Sequence, residues 1–148
     1  MNKIILYFLL GIVLLSCNNQ NPAEQIKHIE GYWEIDKVEL PDESVREYGI
    51  NENIDYFEIT DSTGFRKKLQ PQFDGSYKTN DDAEELKIKL ENDSLHLYYK
   101  TPFDEWKETL LQADEEKMSI LNRDGIIYHY KKFTPLFAEE DEKGQPEK

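Results

Sequence analysis

Cys17 is the only cysteine in the 148-residue chain. A lone cysteine cannot close an internal disulfide, and a thioether to lipid is one chemistry that accounts for its standing alone. The three histidines, His28, His96 and His129, show no HExxH or other ligand spacing, so no metal site is expected. His96 and His129 both fall in strand-like segments and could meet across a closed sheet. The acidic clusters Asp81, Asp82, Glu84, Glu85 and Asp114, Glu115, Glu116 lack the alternating register that wraps oxygens round calcium, and read as charged turn tips. With 31 acidic residues in the chain, no glycosidase-like pair can be singled out by spacing. There is no G-x-S-x-G, no P-loop and no dinucleotide fingerprint. No catalytic residue and no cofactor are expected.

The segment in front of Cys17 sets its context. MNKIILYFLLGIVLLSC places one basic residue, Lys3, before an apolar run from Ile4 to Leu15, then a small residue, Ser16. This is the layout of a secretory signal, and the run is well short of the roughly 20 apolar residues that span a bilayer. Leu14, Leu15, Ser16 and Cys17 resemble a lipobox, at which bacterial lipoproteins are diacylated on cysteine and cleaved immediately before it. That resemblance implies a mature chain that starts at a lipidated (palmitate-bearing) Cys17 and is tethered to a membrane without spanning it. Each buried methylene of such an anchor contributes about 0.8 kcal/mol, so two or more chains hold stably. No acidic residue follows Cys17 directly, which by analogy with Gram-negative sorting favours the outer membrane. The expected location is the cell envelope, either periplasmic or surface-exposed.

About 130 residues remain after residues 1–16 are removed, enough for one domain with a moderate core. Acidic residues outnumber basic ones by 31 to 18, which disfavours a nucleic-acid partner. The same excess argues against the domain itself lying on an anionic lipid surface, since no basic amphipathic helix is visible to offset it. Residues 17–29 read as a lipidated N-terminus and tether, with a weak helical stretch in AEQIKHI. Residues 30–134 form the folded domain, and 135–148 an acidic, disordered tail.

The elements of that domain follow from a change to period two beyond Gly31. Strands are expected at Tyr32–Leu40, Ile54–Thr60, Gly64–Gln70, Phe73–Thr79, Glu85–Glu91, Ser94–Thr101, Asp104–Gln112, Lys117–Asn122 and Ile126–Phe133. Gly64 after DST and the Asp124–Gly125 pair supply the positive φ that tight hairpins need, and a short turn around Asn92 and Asp93 joins the strands on either side of it. The loop PDESVREYGINEN, residues 41–53, is long enough to act as a lid. In ELKIKLE the apolar Leu86, Ile88 and Leu90 alternate with Lys87 and Lys89, so a one-residue slip would bury two ammonium groups. With no crossover helices the fold is all-β, an antiparallel up-and-down meander closing into an eight- or nine-stranded barrel.

Gly31, Tyr32 and Trp33 are similar to the Gly-x-Trp start of the lipocalin family, where the Trp lies across the closed end of the barrel. From Glu30 to Phe133 the chain resembles the lipocalin-like domains of small lipoproteins in Bacteroidetes-type bacteria, ending in a strand like GIIYHYKKF. The resemblance implies a calycin barrel. Two departures stand out: the Thr-Asp-Tyr motif of true lipocalins is missing, with Asp55 and Tyr56 in the second strand instead, and the late arginine is replaced by Lys131 and Lys132. A lysine there could cover Trp33 with its stem and ammonium.

The interior is expected to collect Trp33, Ile35, Phe57, Leu86, Ile88, Leu97, Tyr99, Trp106, Met118, Ile120, Tyr128 and Tyr130. Trp33, Phe57, Leu97, Tyr99, Trp106, Tyr128 and Tyr130 are the candidate ligand-binding residues, the tyrosine hydroxyls orienting a small, mostly apolar molecule. The expected function is non-catalytic binding of such a ligand, in a cavity with its mouth near residues 41–53. The alternative is a filled barrel that engages an envelope protein through exposed aromatics such as Tyr98 or through acidic loops, as an immunity or inhibitor lipoprotein would.

Overall fold

The structure, a computed structural model, describes residues 21–80 and 82–135; Cys17, the segment before it and the acidic tail from 136 onward lie outside the described residues. Asn21 starts the helix α1 (Pro22–Ile29) by accepting the Ala23 N–H on its side chain at 3.1 Å. Pro22 takes the first helical position, where its missing N–H leaves no gap.

The strands that follow are β1 (Gly31–Glu39), β2 (Val45–Glu47), β3 (Ile54–Thr60), β4 (Thr63–Pro71), β5 (Tyr77–Thr79), β6 (Glu84–Glu91), β7 (Ser94–Lys100), β8 (Glu105–Ala113), β9 (Lys117–Leu121) and β10 (Ile127–Lys132). All pair antiparallel. Eight of them, β1, β3, β4, β6, β7, β8, β9 and β10, form a ring that closes where β10 pairs with β1 in the register Trp33 opposite Lys132 and Ile35 opposite Tyr130. Closure removes the free edges that an open meander would expose. The two short strands extend half-staves: β2 pairs with Lys37–Glu39 of β1, past the reach of β3, and β5 pairs with Leu69–Pro71 of β4, past the reach of β6.

Three expectations change. The strand expected from Phe73 shrinks to β5, leaving Phe73 on a turn held by Asp74 and Ser76. Residues 41–53 contain β2 and are bound to β1 by Tyr48 N–H to Asp36 O (2.8 Å) and Asn51 Nδ2 to Ile35 O (2.7 Å), so the loop follows the wall instead of hanging over the opening. Positive φ falls at Asp61 in the β3–β4 turn, not at Gly64, and at Gly125 alone in the β9–β10 turn. Gly64 is needed for a different reason: a Cβ there would collide with the Glu58 carbonyl. The short β6–β7 turn falls at Asn92 and Asp93 as expected, and both are left-handed between Glu91 and Ser94, the requirement of a two-residue type I′ turn.

One end of the barrel is plugged by α1. Ile29 is fully buried in the core, Ile26 packs beside it, and Gln25 accepts the Ala113 N–H of β8 on Oε1 at 3.0 Å. Trp33 lies under the helix and donates its indole N–H to Ile29 O at 2.7 Å, satisfying a carbonyl at the helix end that has no intrahelical partner. The Lys132 ammonium sits 4.2 Å from the Trp33 ring and donates to Glu30 O at 2.6 Å, the cover expected of a late lysine. Gly31 makes room for it: φ is +113°, and a Cβ would come within 2.9 Å of Lys132 Nζ.

Candidate functional site

Strand direction divides the barrel into a closed end and an open one. The turns at 61–62, 92–93 and 114–116 share the closed end with α1, while the connections at 40–53, 72–76, 101–104 and 122–126 surround the open end. The interior is correspondingly split. Near the helix, Trp33, Phe57, Leu97, Ala113 and Met118 have no water-accessible surface at all, so this half is a filled apolar floor.

Toward the open end the inward positions turn polar. Cross-strand register explains which residues meet: Phe57 pairs with Arg66 and Asp55 with Lys68, Arg66 in turn with Glu84, Leu97 with Glu108, and Tyr99 with Trp106. Residues directly opposite share a face, so each of these partners of a buried residue also points inward. Asp55, Arg66 and Glu108 are only 2%, 8% and 9% exposed. A charged layer thus lies on the apolar floor.

Its geometry centres on Arg66. The guanidinium donates from Nε to Glu84, makes a longer contact from Nη1 to Glu108 Oε2 (3.4 Å), and lies 4.3 Å from the centroid of the Tyr99 ring. Tyr99 stacks on Trp106, centroids 5.1 Å apart and planes 17° from parallel. Lys68 reaches inward from the rim to pair with Asp55 Oδ1 at 2.6 Å. Burial works against the charge on Arg66, but the electrostatic influence of Tyr99, Asp55 and Glu108 and the hydrogen bond to Glu84 outweigh it and hold its pKa well above the ordinary value. Burial pushes the Glu108 carboxyl up, partly offset by Arg66. Burial likewise raises the hydroxyls of Tyr99 and Tyr130 well above the usual phenol range. The buried Tyr99 hydroxyl lies beside Glu108, near enough to favour its charged form, yet makes no well-aligned hydrogen bond among the described residues.

Of the seven sequence candidates, four gather at this layer. Tyr99 and Trp106 contact each other, and Tyr128 and Tyr130, 6.5 Å apart, share the surroundings of Arg66 and Glu108. Trp33, Phe57 and Leu97 lie in the floor. Arg66, Asp55, Glu84, Glu108 and Lys68 were not among the candidates. The signal that finds them is the pairing of IDYFEIT with TGFRKKLQP, which sets Arg66 opposite the inward Phe57.

The histidines do not meet. His96 contacts Thr109 Oγ1 (3.1 Å) on the outer wall, and His129 contacts Ser119 Oγ (2.9 Å) on another part of it, with Glu39 3.5 Å from its Nε2. Ser119, His129 and Glu39 thus form a hydroxyl–imidazole–carboxylate row. Nucleophilic catalysis further needs oxyanion donors and a cleft. Ser119 and His129 are ladder partners in mid-sheet, and the two solvent-open grooves described on the surface, of about 780 and 910 Å3, are lined by none of the three. Among the described residues no three His, Cys, Asp or Glu side chains gather in a metal-binding group.

The model of the lipocalin-like domain family matches residues 29–120, ending in β9 one strand short of the closure. Comparison with curated proteins finds no match. Among solved structures, the chain is similar to a lipocalin-like protein from Bacteroides uniformis, with 8% identity and a TM-score of 0.45 over 72% of this chain and 99% of that one. It is similar to an uncharacterized protein from Bacteroides eggerthii, with 14% identity and a TM-score of 0.45 over 70% and 98%. A third similarity is to apocrustacyanin C2, with 12% identity and a TM-score of 0.42 over 86% and 70%.

Proposed function

Because this chain belongs to the lipocalin-like domain family, whose barrel is compatible with ligand binding, we propose that it is a non-catalytic binding lipoprotein of the cell envelope, anchored by lipid on Cys17. Its ligand is a small molecule with an apolar or aromatic body and at least one polar group, held at the open end of the barrel. The observation that carries this reading is the buried Tyr99 hydroxyl, which makes no well-aligned hydrogen bond among the described residues, on a ring covered by the Arg66 guanidinium. An orphaned buried hydroxyl costs about 1–3 kcal/mol, and a ligand group reaching it would recover that cost. The Trp106 and Tyr128 rings, both only partly buried, offer the flanking apolar surface. A wholly apolar ligand fits less well, because the apolar half of the interior is already filled.

Organic-solvent extraction of the protein purified from its own envelope tests the reading: one small molecule in stoichiometric yield supports it, and its absence opposes it. The anchor is tested separately by the intact mass, which should correspond to a chain starting at Cys17 plus diacylglyceryl and acyl groups.

A second reading, a protein-interaction module of the envelope, is favoured by one observation. Ile50, Phe73 and Phe103 are 94%, 91% and 95% exposed, and all three sit on open-end loops. Half-buried Tyr98, bonded to Glu91 at 2.7 Å, contributes less to such a surface than expected. An empty barrel that co-purifies with one stable protein partner, lost on Phe73→Ser and Phe103→Ser substitution, favours this reading over the first.

A further inference from the structure

The charge of this acidic chain is not spread evenly over the barrel. The outward positions of β4, β6, β7 and β8 carry Lys67, Lys87, Lys89, Lys100 and Lys107, with His96 among them. Against these five lysines the same wall has three carboxylates, Glu85, Glu91 and Glu105. Glu105 is paired with Lys100 at 2.9 Å and Glu91 accepts from Tyr98. A shallow groove of about 910 Å3 runs along this wall between Phe65, Tyr98 and the lysines. Lys67 lies over Phe65 and Lys89 over Tyr98, at 5.7 and 4.5 Å from the ring centroids, so the aromatics are capped by cations. Leu111, 46% exposed, stands on β8 near the closed end.

The chain enters the fold at this same wall. Asn21 and Pro22 sit in a groove with Ser94 and Leu95 of β7 and Thr109 to Gln112 of β8. Cys17 precedes Asn21 by four residues, a reach of at most about 14 Å even when fully extended. An anchor at Cys17 would therefore bring the β6–β7–β8 side of the barrel down toward the lipid.

We propose that this wall is a membrane-docking face, resting side-on against an anionic lipid bilayer with its lysines among the headgroup phosphates and Leu111 at the interface. The proposal rests on the lipid anchor of the preceding section for its orientation. Net charge does not oppose it as composition alone suggests. The Debye length is about 10 Å at 0.1 M salt, so charges on the far side of the barrel are largely screened from the bilayer. What the lipid senses is the near wall, where cations predominate.

The test uses the lipidated mature protein reconstituted in vesicles of phosphatidylethanolamine with phosphatidylglycerol, or of phosphatidylcholine alone, and acylation of lysines by a membrane-impermeant amine reagent. The expected result is at least about threefold slower labelling of Lys87, Lys89 and Lys107 on the anionic vesicles, abolished in 1 M salt, where the Debye length falls to about 3 Å, with Lys37 and Lys131 on the opposite wall unchanged. Equal labelling of both walls on anionic vesicles, or protection that is the same on phosphatidylcholine, overturns the proposal. Protection that instead follows an added acidic protein in the absence of vesicles assigns the wall to a protein partner and overturns it as well. If the protein carries no lipid by intact mass and does not sediment with vesicles, the anchor itself fails, a result distinct from an anchored protein with an unprotected wall.

Discussion

The Arg66 guanidinium lies 4.3 Å from the ring centroid of Tyr99, inside a closed barrel, with Glu84 and Glu108 as its acidic partners. Aliphatic side chains of similar volume would fill these positions at no loss, and often with a gain, of about 1–4 kcal/mol. Just below, the floor of Trp33, Phe57 and Leu97 is filled in that way. The change from apolar floor to charged layer takes one inward step in β3, β6 and β8, from Phe57 to Asp55, Leu86 to Glu84 and Leu110 to Glu108, toward the end of the barrel that faces the open loops. Stability alone gives no reason for it; the proposed recognition of a polar group would.

Arg66→Met should destabilise the protein by about 3–5 kcal/mol, because it leaves Glu108 and Glu84 without their buried counter-charge. Arg66→Lys should recover only part of the loss, since an ammonium keeps the charge but neither the planar stack on Tyr99 nor the fork that reaches two carboxylates. Urea midpoints of the two variants check both statements, and equal stability of Arg66→Lys and wild type would contradict the second.

Tyr99→Phe should move in the opposite direction. Removing a buried hydroxyl that makes no well-aligned hydrogen bond relieves its desolvation cost, so the unliganded protein should gain about 1 kcal/mol while losing affinity for the proposed ligand. A gain in thermal midpoint coupled to a loss of bound molecule separates a binding hydroxyl from a merely structural one, whose loss would lower stability.

Much of the fold was legible because period-two patterning is strong in ELKIKLE and SLHLYYK, where only one face is apolar. All twelve interior residues expected from the sequence lie in the core or packed against it. The charged layer was not legible from β4 alone. In TGFRKKLQP both faces carry basic residues, so composition cannot tell the inward Arg66 from the outward Lys67; only pairing with Phe57 does. The lysine wall was hidden for a related reason. Its members come from four strands, two of which, β6 and β8, also carry glutamates, and they converge only when these strands pair. The three-residue β2 is too short for a periodic signal and is set by its register with Lys37–Glu39.

Gly31→Ala should cost about 1–3 kcal/mol, since φ of +113° is strained for any residue with a Cβ and the new methyl displaces Lys132 from above Trp33. Differential scanning calorimetry reads the loss. A shift in Trp33 fluorescence in the same variant would report the moved ammonium.

Glu108 should leave a mark on the pH dependence of stability. Its folded pKa is raised by burial, so between the ordinary glutamate value and the folded value the native state binds the extra proton. The contribution is therefore fully present below the ordinary pKa and is lost as pH rises through the elevated one. Asp42, Asp74 and Asp114 act with the opposite sign. Turn hydrogen bonds lower all three, outweighing burial at Asp114, and their contributions are lost as pH falls. The stability difference between wild type and Glu108→Gln should accordingly decline from pH 4 toward neutrality, and a difference that stays flat over that range would contradict the assignment.

Native mass spectrometry of the protein extracted from its own envelope tests the binding claim most directly. The account predicts wild-type protein carrying a single small molecule of defined mass, with occupancy falling on both Trp106→Ala and Tyr99→Phe while each variant stays folded. Wild-type protein that flies only as the bare lipidated chain, or a bound molecule whose occupancy is indifferent to both substitutions, would contradict it.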